Sequence, residues 1–196
     1  MISRYVVLRR RIEAELDDVR RAAEKASRAF ERARHVGQDA DYYLDSTAIN
    51  LHGFYNGIER ILEGIARELD GGLPEGPNWH RELLSQMTLD LAGLRPAVLH
   101  RETAARLDEY LRFRYVRNLY TWSFDASKLS GLVAGLPEVL TDLEADLTVF
   151  GSFLRPSVTS TAHQLPPGNN DICLPASPQS FSLHLSIPRS QYRPQP

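Results

Sequence analysis

The stretch LDSTAINLHGFYNGIERILEGIAREL, from Leu44 to Leu69, sets Leu44, Ala48, Leu51, Tyr55, Ile58, Leu62, Ile65 and Leu69 three or four residues apart. That spacing returns to one face of a helix and continues for about seven turns, which marks a long amphipathic helix with its apolar stripe in a core. Upstream, Leu8, Ile12, Leu16, Val19, Ala23, Ala26 and Phe30 repeat the pattern. Gly37 breaks the chain between the two helices, and Asp39, Asp41 and Asp45 suit the positive end of the second.

Downstream, Gly71-Gly72, Pro74 and Gly76-Pro77 predict a loop. A shorter helix is expected from about Asn78, its N-cap, to Leu89. Gly93 and Pro96 interrupt the chain before a fourth helix over about 101–120. Ser123 to Asp125 read as a turn, with Asp125 as N-cap of a last helix over about 126–153. That helix carries Leu129, Leu132, Leu136, Leu140, Leu143, Leu147 and Phe150, and Pro137 inside it is expected to kink or split it. No alternating run is bounded by a hairpin dipeptide, so strands are not expected. The fold class is all-α, an up-and-down bundle of four to five helices over residues 1–155.

Residues 156–196 have a different texture, with eight of the chain's twelve prolines, seven serines and Asp171, Arg189 and Arg193 as the charges. They read as a Pro/Ser-rich disordered extension. The whole chain has 196 residues, 42% of them hydrophobic and 24% charged, with a net charge of −2. This is not the basic body of a non-specific nucleic-acid coat. Cys173 is the single cysteine, which excludes a disulfide framework and a four-cysteine zinc site. No apolar run is long enough to span a membrane, and the N-terminus lacks a secretory h-region, so a cytoplasmic location is the expectation. No Walker loop, dinucleotide fingerprint or zincin motif is present, and neither a cofactor nor a metal is expected.

The informative chemistry lies in Leu107-Asp-Glu-Tyr-Leu-Arg-Phe-Arg-Tyr-Val-Arg-Asn-Leu-Tyr-Thr-Trp-Ser-Phe-Asp125. At about 100° per residue, Arg114, Arg117, Asn118 and Thr121 share one helix face. On helix statistics the pattern reads first as an amphipathic helix with solvated arginines and a single structural ion pair; the sharper reading is an anion site, since two arginines and an amide there suit a phosphate. Arg112 points to the apolar side, where Glu109 is its expected partner. Elsewhere, His52 sits at the edge of the second helix's stripe, where a structural hydrogen bond and a catalytic role both remain open. His100 adjoins the fourth helix as a cap, and His35 and His80 read as surface residues.

Two of these segments resemble a known family. Ala48-Ile-Asn-Leu-His-Gly-Phe-Tyr-Asn-Gly-Ile-Glu-Arg-Ile-Leu-Glu63 is similar to the corresponding helix of HepT-like ribonuclease toxins, a branch of the HEPN superfamily. Leu107 to Asp125 resembles that group's motif-bearing helix, and Trp79-His80-Arg81-Glu82-Leu83-Leu84 with Arg95-Pro96 fits its intervening region. The resemblance covers residues 1–155. It implies an all-helical homodimer whose fourth-helix motifs meet across a cleft. It implies a metal-independent endoribonuclease with RNA as substrate, encoded beside a nucleotidyltransferase-type antitoxin that adenylylates a tyrosine near the motif.

That family's motif is an arginine, often followed by a polar residue, with a histidine after four to six intervening residues. Arg117-Asn118 matches its start, but the histidine positions hold Trp122, Ser123 and Phe124. A histidine often found after Arg-Phe-Arg in the family is Tyr115 here, and no histidine lies between Arg101 and Ala162. Metal-free RNA cleavage needs a deprotonated 2′-hydroxyl, a protonated leaving oxygen and a stabilised phosphorane. Histidine, with an ordinary pKa near 6.5, suits the proton transfers better than tyrosine, near 10.

The resemblance therefore implies that Arg117 and Arg114 hold the scissile phosphate and that Asn118 orients it. Tyr115, Tyr120 or His52 is left as the proton-handling group. The alternative is a catalytically impaired module that binds a nucleotidyltransferase partner or nucleotide without cleavage. A helical dimer with no nucleotide function is the third reading.

Overall fold

A computed structural model describes residues 4–119 and 126–155, the side chains of 115–119 excepted. The expected extension 156–196, the 123–125 turn and Asp125 lie outside the described residues, as does Tyr120. Five helices follow in order: α1 (Arg4–His35), α2 (Ala40–Ile65), α3 (Trp79–Gln86), α4 (Arg101–Leu119) and α5 (Ala126–Phe153). The described residues form an all-α bundle. Their nearest approach to a strand is an isolated bridge between Leu91 and Arg95, closed over Gly93 at φ 77°. No described helix is long and apolar enough to cross a membrane.

The two stripes read from the sequence form the seam of an antiparallel α1–α2 hairpin. Every residue of the α1 stripe is buried, and so is the α2 stripe from Ala48 onward. Val19 packs on Gly57, Glu15 pairs with Arg60 at 2.9 Å and Arg11 with Glu68 at 3.6 Å, so the two helices run in opposite directions. A Cβ at Gly57 would stand 2.6 Å from Val19 Cγ2, so the close approach requires glycine. α5 lies along α1, with Arg20 and Glu144 in contact at 2.6 Å. α4 runs antiparallel to α5, its Arg106 pairing with Asp142 and its Tyr110 donating to the Leu132 carbonyl at 2.8 Å.

Pro137 does not split α5, which runs unbroken from Ala126 to Phe153. Leu136 and Val139 on either side of the proline are buried, and their packing holds the turn where a backbone bond is missing. The Tyr110 bond to Leu132 adds a clamp at the same place. Burial pushes the Tyr110 phenol up, so it stays protonated as a donor. Its oxygen would meet a Cβ at Gly135 at 3.2 Å. Asn78 holds the N-cap position of α3, but its carbonyl rather than its side chain accepts there, from Arg81 and Glu82 N–H. Arg112 is exposed and pairs with Asp108, one turn back at 2.5 Å, in place of the expected Glu109.

Between α2 and α4 the backbone is tied by one buried arginine. α2 ends in a π-helical turn, Ala66–Asp70, stopped by Gly71 at φ 84°. The Arg95 Nε and Nη2 groups each donate to an Asp70 carboxylate oxygen at 2.6 Å. Nη1 donates to the carbonyls of Leu89 and Pro96 at 3.1 Å, and Nη2 also to Gln86 O at 3.3 Å. All five guanidinium donors are thus used, with both partners buried. At the start of α4, Asp146 from α5 accepts from His100 N–H at 2.9 Å and pairs with His100 Nδ1. A carboxylate therefore caps the helix from a neighbouring element.

Two outcomes follow from these contacts. Arg95→Ala leaves the buried Asp70 carboxylate without its counter-charge, with Gln86 Nε2 at 2.5 Å as a remaining donor, and takes a donor from the Leu89 and Pro96 carbonyls. It should lower stability by about 3–5 kcal/mol, read as an earlier urea midpoint with unchanged slope. For His100, the bond to Asp146 raises the imidazole pKa above 6.5. A group raised on folding stabilises most below its unfolded pKa and loses that contribution as pH rises through its folded value. The stability difference between wild type and His100→Gln should therefore be largest near pH 5.5 and shrink as pH climbs above about 6.5, measured by denaturant titration at each pH.

Candidate functional site

Glu59 stands on α2 between Ile58 and Arg60 and is nearly as buried as the apolar stripe beside it. A carboxylate in that position costs several kcal/mol unless it is paired. Two elements supply the partners. Arg114, on α4, places Nη1 at 2.8 Å from Oε1 and 2.7 Å from Oε2. His80, on α3, meets Oε1 through Nδ1. The same Arg114 nitrogen lies 2.9 Å from His80 Nδ1 and 3.4 Å from Nε2. Three helices thus converge on one carboxylate.

His80 is fixed from its other side by Trp79, whose ring centroid lies 3.6 Å away at 31°. Its side chain is 14% exposed, so it is not the surface residue that its polar sequence neighbours suggest. α3 is held over this point by Arg81, which reaches Asp108 of α4 at 3.2 Å. On α2, His52 and Asn56 stand seven and three residues before Glu59, on the same helix face. His52 is partly buried. The Oδ1 atom of Asn56 is buried with no hydrogen-bond partner.

The Arg114 fork is half used. Its hydrogen bonds and ion pairs among the described residues all run through Nη1, and Nε is buried without a partner. The Arg114 side chain is 19% exposed, and an arginine anchored by one nitrogen can offer its exposed part to a second acceptor such as a phosphate. α4 remains helical to Leu119, so positions 117 and 118 come one turn after Arg114. The side chains of Tyr115, Arg117 and Asn118 lie outside the described residues.

Of the residues expected from sequence, the structure brings Arg114 into a built polar cluster. It adds Glu59 and His80, which sequence reasoning did not place there. The available signal was a glutamate interrupting the edge of an apolar stripe, a position that demands a cationic partner from another element. The identity of that partner depends on contacts 21 and 55 residues away in sequence.

A family model described as HepT-like protein matches residues 46–154. No curated protein and no solved structure matches the chain. The matched span takes in α3, α4, all of α5 and the part of α2 that carries Glu59, and it exceeds half of the chain. With the all-α fold and the α2 and α4 segments described above, it establishes that the chain belongs to the HepT-like family.

Proposed function

We propose that this HepT-like protein is the toxin component of a toxin–antitoxin pair, a metal-independent endoribonuclease that cuts RNA at a homodimer cleft in the cytoplasm. Its partner is a nucleotidyltransferase-type antitoxin. The observation that supports the reading is Arg114, anchored through Nη1 to the buried Glu59 carboxylate and still 19% exposed, one turn before Arg117-Asn118. Cleavage by an internal 2′-hydroxyl passes through a phosphorane whose extra negative charge must be met by preorganised donors. Arg114 and Arg117 supply such donors, and Asn118 orients the non-bridging oxygens. Because Glu59 holds Arg114 before substrate arrives, little side-chain ordering remains to be done on binding.

A second reading is kept by one feature of the sequence: α4 and the residues after it contain no histidine as far as Ala162. If the tyrosines of α4 alone served the arginines, acid–base chemistry at neutral pH would be weak, and the protein would act as a module that binds its nucleotidyltransferase or a nucleotide without cutting RNA.

Purified full-length protein incubated with mixed RNA in EDTA separates the two. Wild type should cleave, and Arg117→Ala should lower the rate by about 10²–10³-fold, as loss of one preorganised donor does elsewhere. A folded wild type that leaves RNA intact but forms a stable complex with the nucleotidyltransferase supports the second reading. A monomer by sedimentation at assay concentration refutes the shared cleft.

A further inference from the structure

We infer that His80 is the proton-handling residue of this site, held by Glu59 beside Arg114 and supplying from α3 the imidazole that α4 lacks. The inference rests on the ribonuclease reading above and names a catalytic group within it. Three observations carry it. His80 Nδ1 is engaged by the Glu59 carboxylate, which favours the tautomer with the proton on Nδ1 and the lone pair on Nε2, the nitrogen 3.4 Å from Arg114 Nη1. Trp79 stacks on the ring and fixes its plane. The ring lies against the Arg114 nitrogen, with side-chain exposures of 14% for His80 and 19% for Arg114. Both side chains are shielded but reach the surface.

The other described histidines lack this arrangement. His35 is exposed at the end of α1 and 3.9 Å from Glu31. His100 caps the opposite end of α4, fourteen residues or about 21 Å along the axis from Arg114. His52 stands two turns from Glu59 along α2, about 10 Å. The His80 ring lies within hydrogen-bond range of the phosphate-binding arginine.

In the reaction, His80 Nε2 removes the proton from the 2′-hydroxyl. The O2′–P bond forms as the P–O5′ bond breaks, and water protonates the leaving 5′-oxygen. The imidazolium then returns its proton to the hydroxide so formed. The products are a 2′,3′-cyclic phosphate and a 5′-hydroxyl, with no net consumption of water. Arg114 meets the charge that accumulates on the phosphorane within a few ångströms of the base, which is the geometry that metal-free transfer requires. Glu59 acts through His80 and is a positioning residue.

The test compares full-length wild type, His80→Gln, His80→Ala and Glu59→Gln on RNA in EDTA, with kcat/KM followed across pH 5 to 9 and folding checked by thermal melting. His80→Gln should lose about 10²–10⁴-fold in kcat/KM and should flatten the acid limb that wild type shows. Added imidazole should restore part of the activity of His80→Ala, a rescue that a structural role would not give. Glu59→Gln should retain cleavage at a reduced rate with a displaced acid limb. His80→Gln that melts as wild type does and keeps both its rate within threefold and its acid limb overturns the inference while leaving the ribonuclease reading intact. If His80→Gln fails to fold, the rescue of His80→Ala decides, and no rescue in a folded variant counts against the role. A folded dimeric wild type that cuts no RNA overturns both.

Discussion

The contact on which the site depends is the burial of one carboxylate. Glu59 cannot lie among Ile58, Leu62 and Ile65 as an isolated charge, because desolvation of that group costs several kcal/mol. The cost is offset when α3 delivers His80 and α4 delivers Arg114 to the same oxygens. The position of α3 over α2, and the rotation of α4 about its axis, are thereby coupled to one side chain. A bundle held by apolar stripes alone tolerates sliding and rotation of its helices by small amounts. A buried carboxylate shared by an arginine and a histidine from two other helices does not.

Much of the architecture was legible in the sequence because the physics that decides it is local and periodic. The α1 stripe from Leu8 to Phe30 and the α2 stripe from Leu51 to Leu69 are buried residue for residue, since three- and four-residue spacing has a single geometric meaning in a helix. The bounds of α5 agree as well. What escaped is what sequence distance hides. Pro137 reads as a break because a proline removes a local bond, yet buried neighbours and a hydroxyl from α4 keep the helix whole. Arg112 chose Asp108 over Glu109 because four residues, like three, bring side chains together on a helix, and the two spacings compete closely.

The site was legible in part. Arg114 was singled out from its helix face, and its contact with Glu59 bears on chemistry that the face alone could not specify. His80 reads as a surface residue because Asn78, Arg81 and Glu82 surround it in sequence. Its burial is decided by Trp79, Glu59 and Arg114, and two of those three belong to other helices. A single polar side chain among polar neighbours carries no periodic signal, so periodicity cannot report whether it faces water or a carboxylate.

The buried pair between Arg95 and Asp70 has a consequence for how the α2–α4 connection can change. Most ion pairs are symmetric in principle, and an exchange of acid for base preserves the attraction. This one is not. Three of the groups around the guanidinium are backbone carbonyls of Gln86, Leu89 and Pro96, which no substitution removes. An aspartate at position 95 facing an arginine at position 70 would keep the charge pairing but set a carboxylate against those carbonyl dipoles, acceptor against acceptor. A lysine at 95 would keep the sign but lose the planar fork. The connection is therefore locked to one residue type by its own main chain, and sequence drift around it must pass through the loops on either side.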